Sequence, residues 1–140
     1  MNVLGAIVAG LAGTAVMTMM MSIAPRMGMP KMDMPRMLGT MLISREETAT
    51  VVGMVIHFMM GAIFAIIYAL LWSLGVGSAT WWWGLIFGAV HGLVAAGMMP
   101  VMLRMHPRPP EMSFGPVMIV GVLMAHLAYG LVVALVYAAF

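Results

Sequence analysis

The sequence predicts an all-α, polytopic membrane protein: a four-transmembrane-helix bundle, built as two tandem helical hairpins. Two observations lead there. Apolar residues make up 64% of the 140 residues and charged residues only 7%, a balance that a water-soluble domain hardly tolerates. The charges are also confined to 26–47 and 104–111, leaving uncharged tracts of 25, 56 and 29 residues at 1–25, 48–103 and 112–140. A span takes about 20 apolar residues, so the tracts hold one, two and one helices within a single transmembrane domain, 1–140.

Each element follows in order. The first span is placed at 3–25; it has no Lys or Arg before its apolar run and exceeds the roughly 7–15-residue core of a secretory signal, so a retained span is expected. In the first loop Met34, Met37, Leu38, Met41 and Leu42 recur at helical spacing behind Asp33, predicting a short helix at 34–43 on the membrane surface. Ser44 and Glu47 have capping-box spacing before a second span at 49–73,. The long middle tract turns at Gly75, Gly77 and Ser78, its one cluster of turn formers,. A third span at 81–103 and a fourth at 116–139 complete the bundle, with Pro116 in the first turn of the last, shortly after Ser113,.

All six basic residues, Arg26, Lys31, Arg36, Arg45, Arg104 and Arg108, lie in the first and third loops. The positive-inside rule therefore predicts a multi-pass plasma (inner) membrane protein with loops 26–48 and 104–115 cytoplasmic and both termini outside,. Trp72, Trp81, Trp82 and Trp83 would gather at the outer interface, where indole bridges acyl chains and headgroups,. The net charge of +2 arises in those loops, so it bears on topology and not on nucleic acid,. The lipid bilayer is the first partner, and a homo-oligomer or larger membrane complex is expected.

Close helix packing in lipid depends on small residues, and the sequence carries ridges of them. Gly84, Gly88, Gly92 and Ala96 form one; Gly5, Ala9 and Gly13 a second; Gly53, His57, Gly61 and Ala65 a third. Gly10, Thr14 and Thr18 add a stripe whose hydroxyls can bond to backbone carbonyls,. His57-x3-Gly61-x6-Tyr68 is repeated as His126-x3-Gly130-x6-Tyr137, which suggests parallel repeats about an axis along the membrane normal,.

Three of four histidines fall in one layer. Counted at about 1.5 Å per residue from the charged ends, His57, His126 and His91 lie roughly 12, 15 and 18 Å deep,. Ionisable groups at such depth are costly and face the bundle interior or a water-filled cavity. Imidazole suits copper, zinc and haem iron and also serves as a proton relay or a donor to a quinone carbonyl. The plain alternative is that each ring bonds a neighbour and fastens the bundle. His106, between Met105 and Pro107, reads as a solvated loop residue.

Methionine is one-sided. Besides Met1, all 20 lie at 17–60 or 98–124, in the charged loops or the halves of the spans next to them. Met27-Gly-Met29-Pro30 and Met32-Asp-Met34-Pro35 repeat a motif, and Met98, Met99, Met102 and Met105 surround Pro100. Thioethers select Cu(I) over hard cations; methionine is equally an adaptable filler of partner surfaces. A copper scavenger would carry its methionines outside, so a cytoplasmic methionine field fits export or docking better than uptake. Cysteine is absent, no phosphate loop is visible, and Ser22, Ser44, Ser73, Ser78 and Ser113 have no triad partners,. Asp33 and Glu111 read as lone loop acids and Glu46 and Glu47 as charges complementing a helix start,. No enzyme is expected.

Gly10-Leu-Ala-Gly-Thr-Ala-Val-Met17, Met29-Pro-Lys-Met-Asp33, Met37-Leu-Gly-Thr-Met41, the His57-to-Tyr68 pattern and Gly88-Ala-Val-His-Gly92 together resemble small four-helix prokaryotic membrane proteins of unassigned function with a YagU-like layout. The resemblance implies an inner-membrane bundle and transfers no activity. Three functions follow as expectations. The first is a non-enzymatic accessory subunit or self-assembling bundle, docking partners through its Met-rich surface. The second is a soft-metal, Cu(I), or haem protein with His57, His91 and His126 as ligands and Met17, Met98 and Met99 as soft supplements. The third is a proton-coupled carrier using the same histidines.

Overall fold

The computed structural model describes residues 1–110 and 114–140; Glu111 and Ser113, assigned roles above, lie outside the described residues. The chain is about 80% helical, without strands among those residues. Its elements are α1 (Val3–Ile23), a 3-10 turn (Ala24–Met27), α2 (Met34–Leu42), α3 (Glu46–Ser73), α4 (Trp81–Met105) and α5 (Pro116–Tyr137). All but α2 and the 3-10 turn are long and apolar enough to cross a membrane, and residues such as Leu4 (67% exposed), Val51 (65%) and Val94 (59%) clothe the outside in hydrocarbon. The fold is an all-α bundle of four candidate membrane spans.

Local chemistry explains most boundaries. Asn2 caps α1 by accepting the Gly5 N–H at 2.9 Å, satisfying one orphan donor of the first turn. The α-helix yields to the 3-10 turn at Pro25, whose missing N–H breaks the ladder, and Gly28 closes it at φ 80°. Gly75 (φ 87°) and Gly77 (φ 79°) make the α3–α4 turn in the left-handed region that favours glycine,. The expected capping box at Ser44 does not form. α3 begins at Glu46, a turn earlier than 49, with Arg45 as N-cap and no side-chain cap, and Glu46 pairs with Arg36 at 2.6 Å.

Around the bundle, α1 packs against α3 and α5, α5 also against α4, and α2 against α3. α3 and α4, consecutive in the chain, make no comparable backbone approach. The glycine ridges make the close contacts. A methyl on Gly61 would meet Thr14 and Gly10, one on Gly13 would meet Tyr129, and Gly84 and Gly88 lie against Gly130 and the His126 carbonyl. Gly92 faces Leu123 and the His126 Cβ, and Gly5 faces Phe140. Gly53 receives Pro35 and Gly39 of α2 instead of another span. The Thr14 and Thr18 hydroxyls donate to the carbonyls of Gly10 (2.8 Å) and Thr14 (2.7 Å).

α2 does more than lie on a membrane surface. Its apolar face buries Pro35, Met37, Leu38 and Gly39, and Met37 packs with Met99, Met118 and Val122, so α2 caps the charged-loop end of the bundle. Trp72 faces into the bundle rather than outward: it is buried, with its ring against Tyr68, Phe87 and Tyr137. α3 and α4 stand apart there, and large rings fill the gap. Trp81 and Trp82 remain on the surface.

Candidate functional site

Aromatic side chains bridge α3 and α4 in the tryptophan-side half. Tyr68 and Phe87 have ring centres 5.0 Å apart, and Phe64 and His91 4.1 Å apart. Toward the charged loops no such wedge exists, and a cavity of about 290 Å³ opens there. Met17 and Met21 of α1, His57, Met60 and Phe64 of α3, His91, Met98, Met99 and Met102 of α4, and Val122, His126 and Tyr129 of α5 line it. Met32 and Met34 close it from the loop side. Met60, Val94 and Met98 are exposed as well as lining, so the mouth faces sideways, between α3 and α4.

The three membrane histidines differ in how they are held. His126 Nδ1 lies 2.8 Å from the Val122 carbonyl. A carbonyl only accepts, so Nδ1 carries the proton and Nε2 keeps a lone pair. The His91 ring stands edge-on to it with centres 4.6 Å apart, and its Nδ1 pairs with the Tyr68 hydroxyl at 3.1 Å. His57 is 6% exposed, yet its Nε2 has no hydrogen-bond partner. A buried polar atom without a partner ordinarily costs about 1–3 kcal/mol, and this one belongs to a residue that lines the cavity. Tyr129 backs the site, donating its hydroxyl to the Gly61 carbonyl at 2.5 Å and packing on Gly13.

All six residues expected as ligands, His57, His91, His126, Met17, Met98 and Met99, line this one cavity. They do not form a hard-metal cage: among the described residues no group of three His, Cys, Asp or Glu side chains is disposed to hold an ion. Haem also fits poorly. Two axial imidazoles flank opposite faces of a porphyrin, so His91 and His126, with ring centres 4.6 Å apart, cannot both ligate one haem,. Sequence reasoning missed Met21, Met60 and Met102. Met21 and Met102 lie four residues beyond Met17 and Met98 on the same faces, a spacing that points to them. Met32 and Met34 had no such signal, because only the folded loop brings them to the cavity floor.

His106 is not a solvated loop residue. It is 5% exposed, with Nε2 2.9 Å from the Met37 carbonyl and 3.2 Å from the Thr40 hydroxyl, and with Nδ1 accepting the Arg108 N–H at 3.0 Å. Arg108 adds a bond to the Thr40 carbonyl at 2.9 Å. The α4–α5 loop is thereby latched to α2, the helix that caps the cavity end. Beside the latch a polar cleft of about 460 Å³ is lined by Lys31, Arg36 and Arg108 together with Asp33 and Glu46.

Fold and site together define a class, an all-α bundle of four helices long and apolar enough to cross a membrane, holding a lateral cavity of imidazoles and thioethers. The chain belongs to the family described as "Family of unknown function (DUF6789)", which it matches over residues 1–140. No curated protein and no solved structure matches it significantly.

Proposed function

We propose that the protein is a non-enzymatic, membrane-embedded binding protein that takes a small ligand into the cavity between α3 and α4. The observation that carries this reading is the lining of that cavity, which brings His57, His91 and His126 together with the thioethers of Met17, Met98 and Met99. The cavity is near the lower end of the roughly 300–1,000 Å³ range of small-molecule sites, and it is lined mostly by apolar and sulfur-bearing side chains with a few convergent polar atoms. Among the described residues no carboxylate and no serine or threonine lines it, so its polar groups are the three imidazoles and the Tyr129 hydroxyl, without an aliphatic hydroxyl or carboxylate nucleophile beside them,.

The accessory-subunit or self-assembling reading has less support, because the glycine ridges that would dock a partner are occupied within one chain. It would have to use outward methionines such as Met19, Met59 and Met105 instead. The test is native mass spectrometry of protein extracted gently from its own membrane, beside an Ala95→Phe variant that fills the cavity, with circular dichroism verifying that the variant keeps its helices. An adduct held by the native protein and lost from the variant is expected. Bare protein in both, or an adduct indifferent to the substitution, would overturn the reading.

A further inference from the structure

We propose that the ligand of this cavity is a soft monovalent cation of the Cu(I) type, held by imidazole nitrogen and thioether sulfur and delivered from the charged-loop end. The inference rests on the binding reading above and names its ligand class. Three observations carry it. First, His126 is prepared as a ligand: its Nδ1–H is taken by the Val122 carbonyl, the outer-shell bond that orients ligating histidines and leaves Nε2 free for a metal. Its edge-on neighbour His91 is 4.6 Å away between ring centres, close enough for both rings to approach one ion from adjacent directions, and His57 lines the same cavity.

Second, the remaining donors are sulfur. Thioethers bind soft ions and discriminate against Mg²⁺, Ca²⁺ and other oxygen-seeking cations. Among the described residues the lining holds no carboxylate, and no group of three His, Cys, Asp or Glu is disposed to hold an ion. A divalent ion would have no counter-charge, whereas a singly charged soft ion meets the least desolvation cost and accepts few ligands.

Third, the sulfurs form a track. On α4, Met102 stands one turn from Met98 and Met99, and these stand two turns from His91,. Met32 and Met34 stand at its loop end, and Met27 and Met105 are exposed beyond it, 77% and 73%. Mere core filling would have no need to continue the methionines onto the loop surface.

The test is anaerobic titration of the purified protein with Cu(I) against a chromogenic chelator, with Ag(I) as a redox-inert second probe and X-ray absorption on the loaded protein. One equivalent bound, with nitrogen and sulfur both in the first shell, is expected. His126→Ala and the near-isosteric Met98→Leu should each weaken binding tenfold or more, while Met59→Leu, on the outer surface, should change it less than twofold. Absence of stoichiometric binding by the native protein, or equal binding after His91→Ala and His126→Ala together, would overturn the proposal. If an organic adduct fills the cavity and Cu(I) does not bind, the binding reading stands and the metal assignment falls. If no ligand of any kind enters, both fall.

Discussion

Gly61 is the residue on which most of the site leans. Its Cα sits against Thr14 and Gly10 of α1, its carbonyl accepts the Tyr129 hydroxyl, and it lies one turn beyond His57. A methyl there would strike the Thr14 hydroxyl and the Gly10 backbone, neither of which is a flexible side-chain end. Gly61→Ala should therefore destabilise the bundle by about 1–3 kcal/mol, the usual cost of overpacking. Gly97, inside α4 with open space where its Cβ would stand, is the control: Gly97→Ala should be neutral or stabilising by up to about 1 kcal/mol, the helix-propensity gain of alanine over glycine. Unfolding of the two variants in mixed micelles measures both, and equal effects would refute the packing account. The Arg36–Glu46 pair, 44% and 69% exposed, should matter little, since exposed ion pairs contribute about 0–1 kcal/mol.

At the scale of elements, α2 and the α4–α5 loop act as one cap. α2 closes on α3 through Gly39 against Ala49 and Gly53 against Pro35, and the loop is latched to α2 through His106 and Arg108. Cutting the latch should loosen the cap and leave the spans intact. His106→Ala removes a buried ring that satisfies the Met37 carbonyl and the Arg108 N–H, and stranding buried polar groups costs about 1–3 kcal/mol. Hydrogen exchange should then quicken in residues 34–42 while α3 and α4 keep their protection. Uniform quickening throughout would mean that His106 supports the whole fold. The Asp33 cap and helical spacing made α2 legible, because both are local; its role as a cap was not, because it depends on glycines of α3 that come into reach only on folding.

For the whole molecule, the charges and aromatics divide the bundle into a basic, methionine-rich end and a tryptophan end, with both termini at the latter: the Asn2 N–H meets the Tyr137 hydroxyl at 3.0 Å. If the four helices all cross the membrane, the first and second long loops lie on opposite sides. The chain has no cysteine, so Ser44→Cys and Ser78→Cys are each single-thiol proteins as made. In intact cells an impermeant maleimide should label Ser78→Cys, and Ser44→Cys only after permeabilisation, as the positive-inside rule requires. The reverse pattern would invert the orientation, and labelling of both from one side would contradict an odd number of crossings between them.

The sequence by itself determined the four long apolar helices, the glycine ridges and the common level of His57, His91 and His126 along them. Each is written in hydropathy, in 3.6-residue spacing or in distance along a helix, all of which are local quantities. Only the tertiary structure decided that α3 and α4 stand apart, that aromatic rings wedge them at one end, and that Met17, Met98 and Met99 join the histidines around the opening left at the other. It also turned Trp72 inward and buried His106. Those outcomes depend on which helix faces meet, and one-dimensional periodicity leaves that choice open: it marks a face as small or apolar without saying which partner, or which space, the face will adjoin.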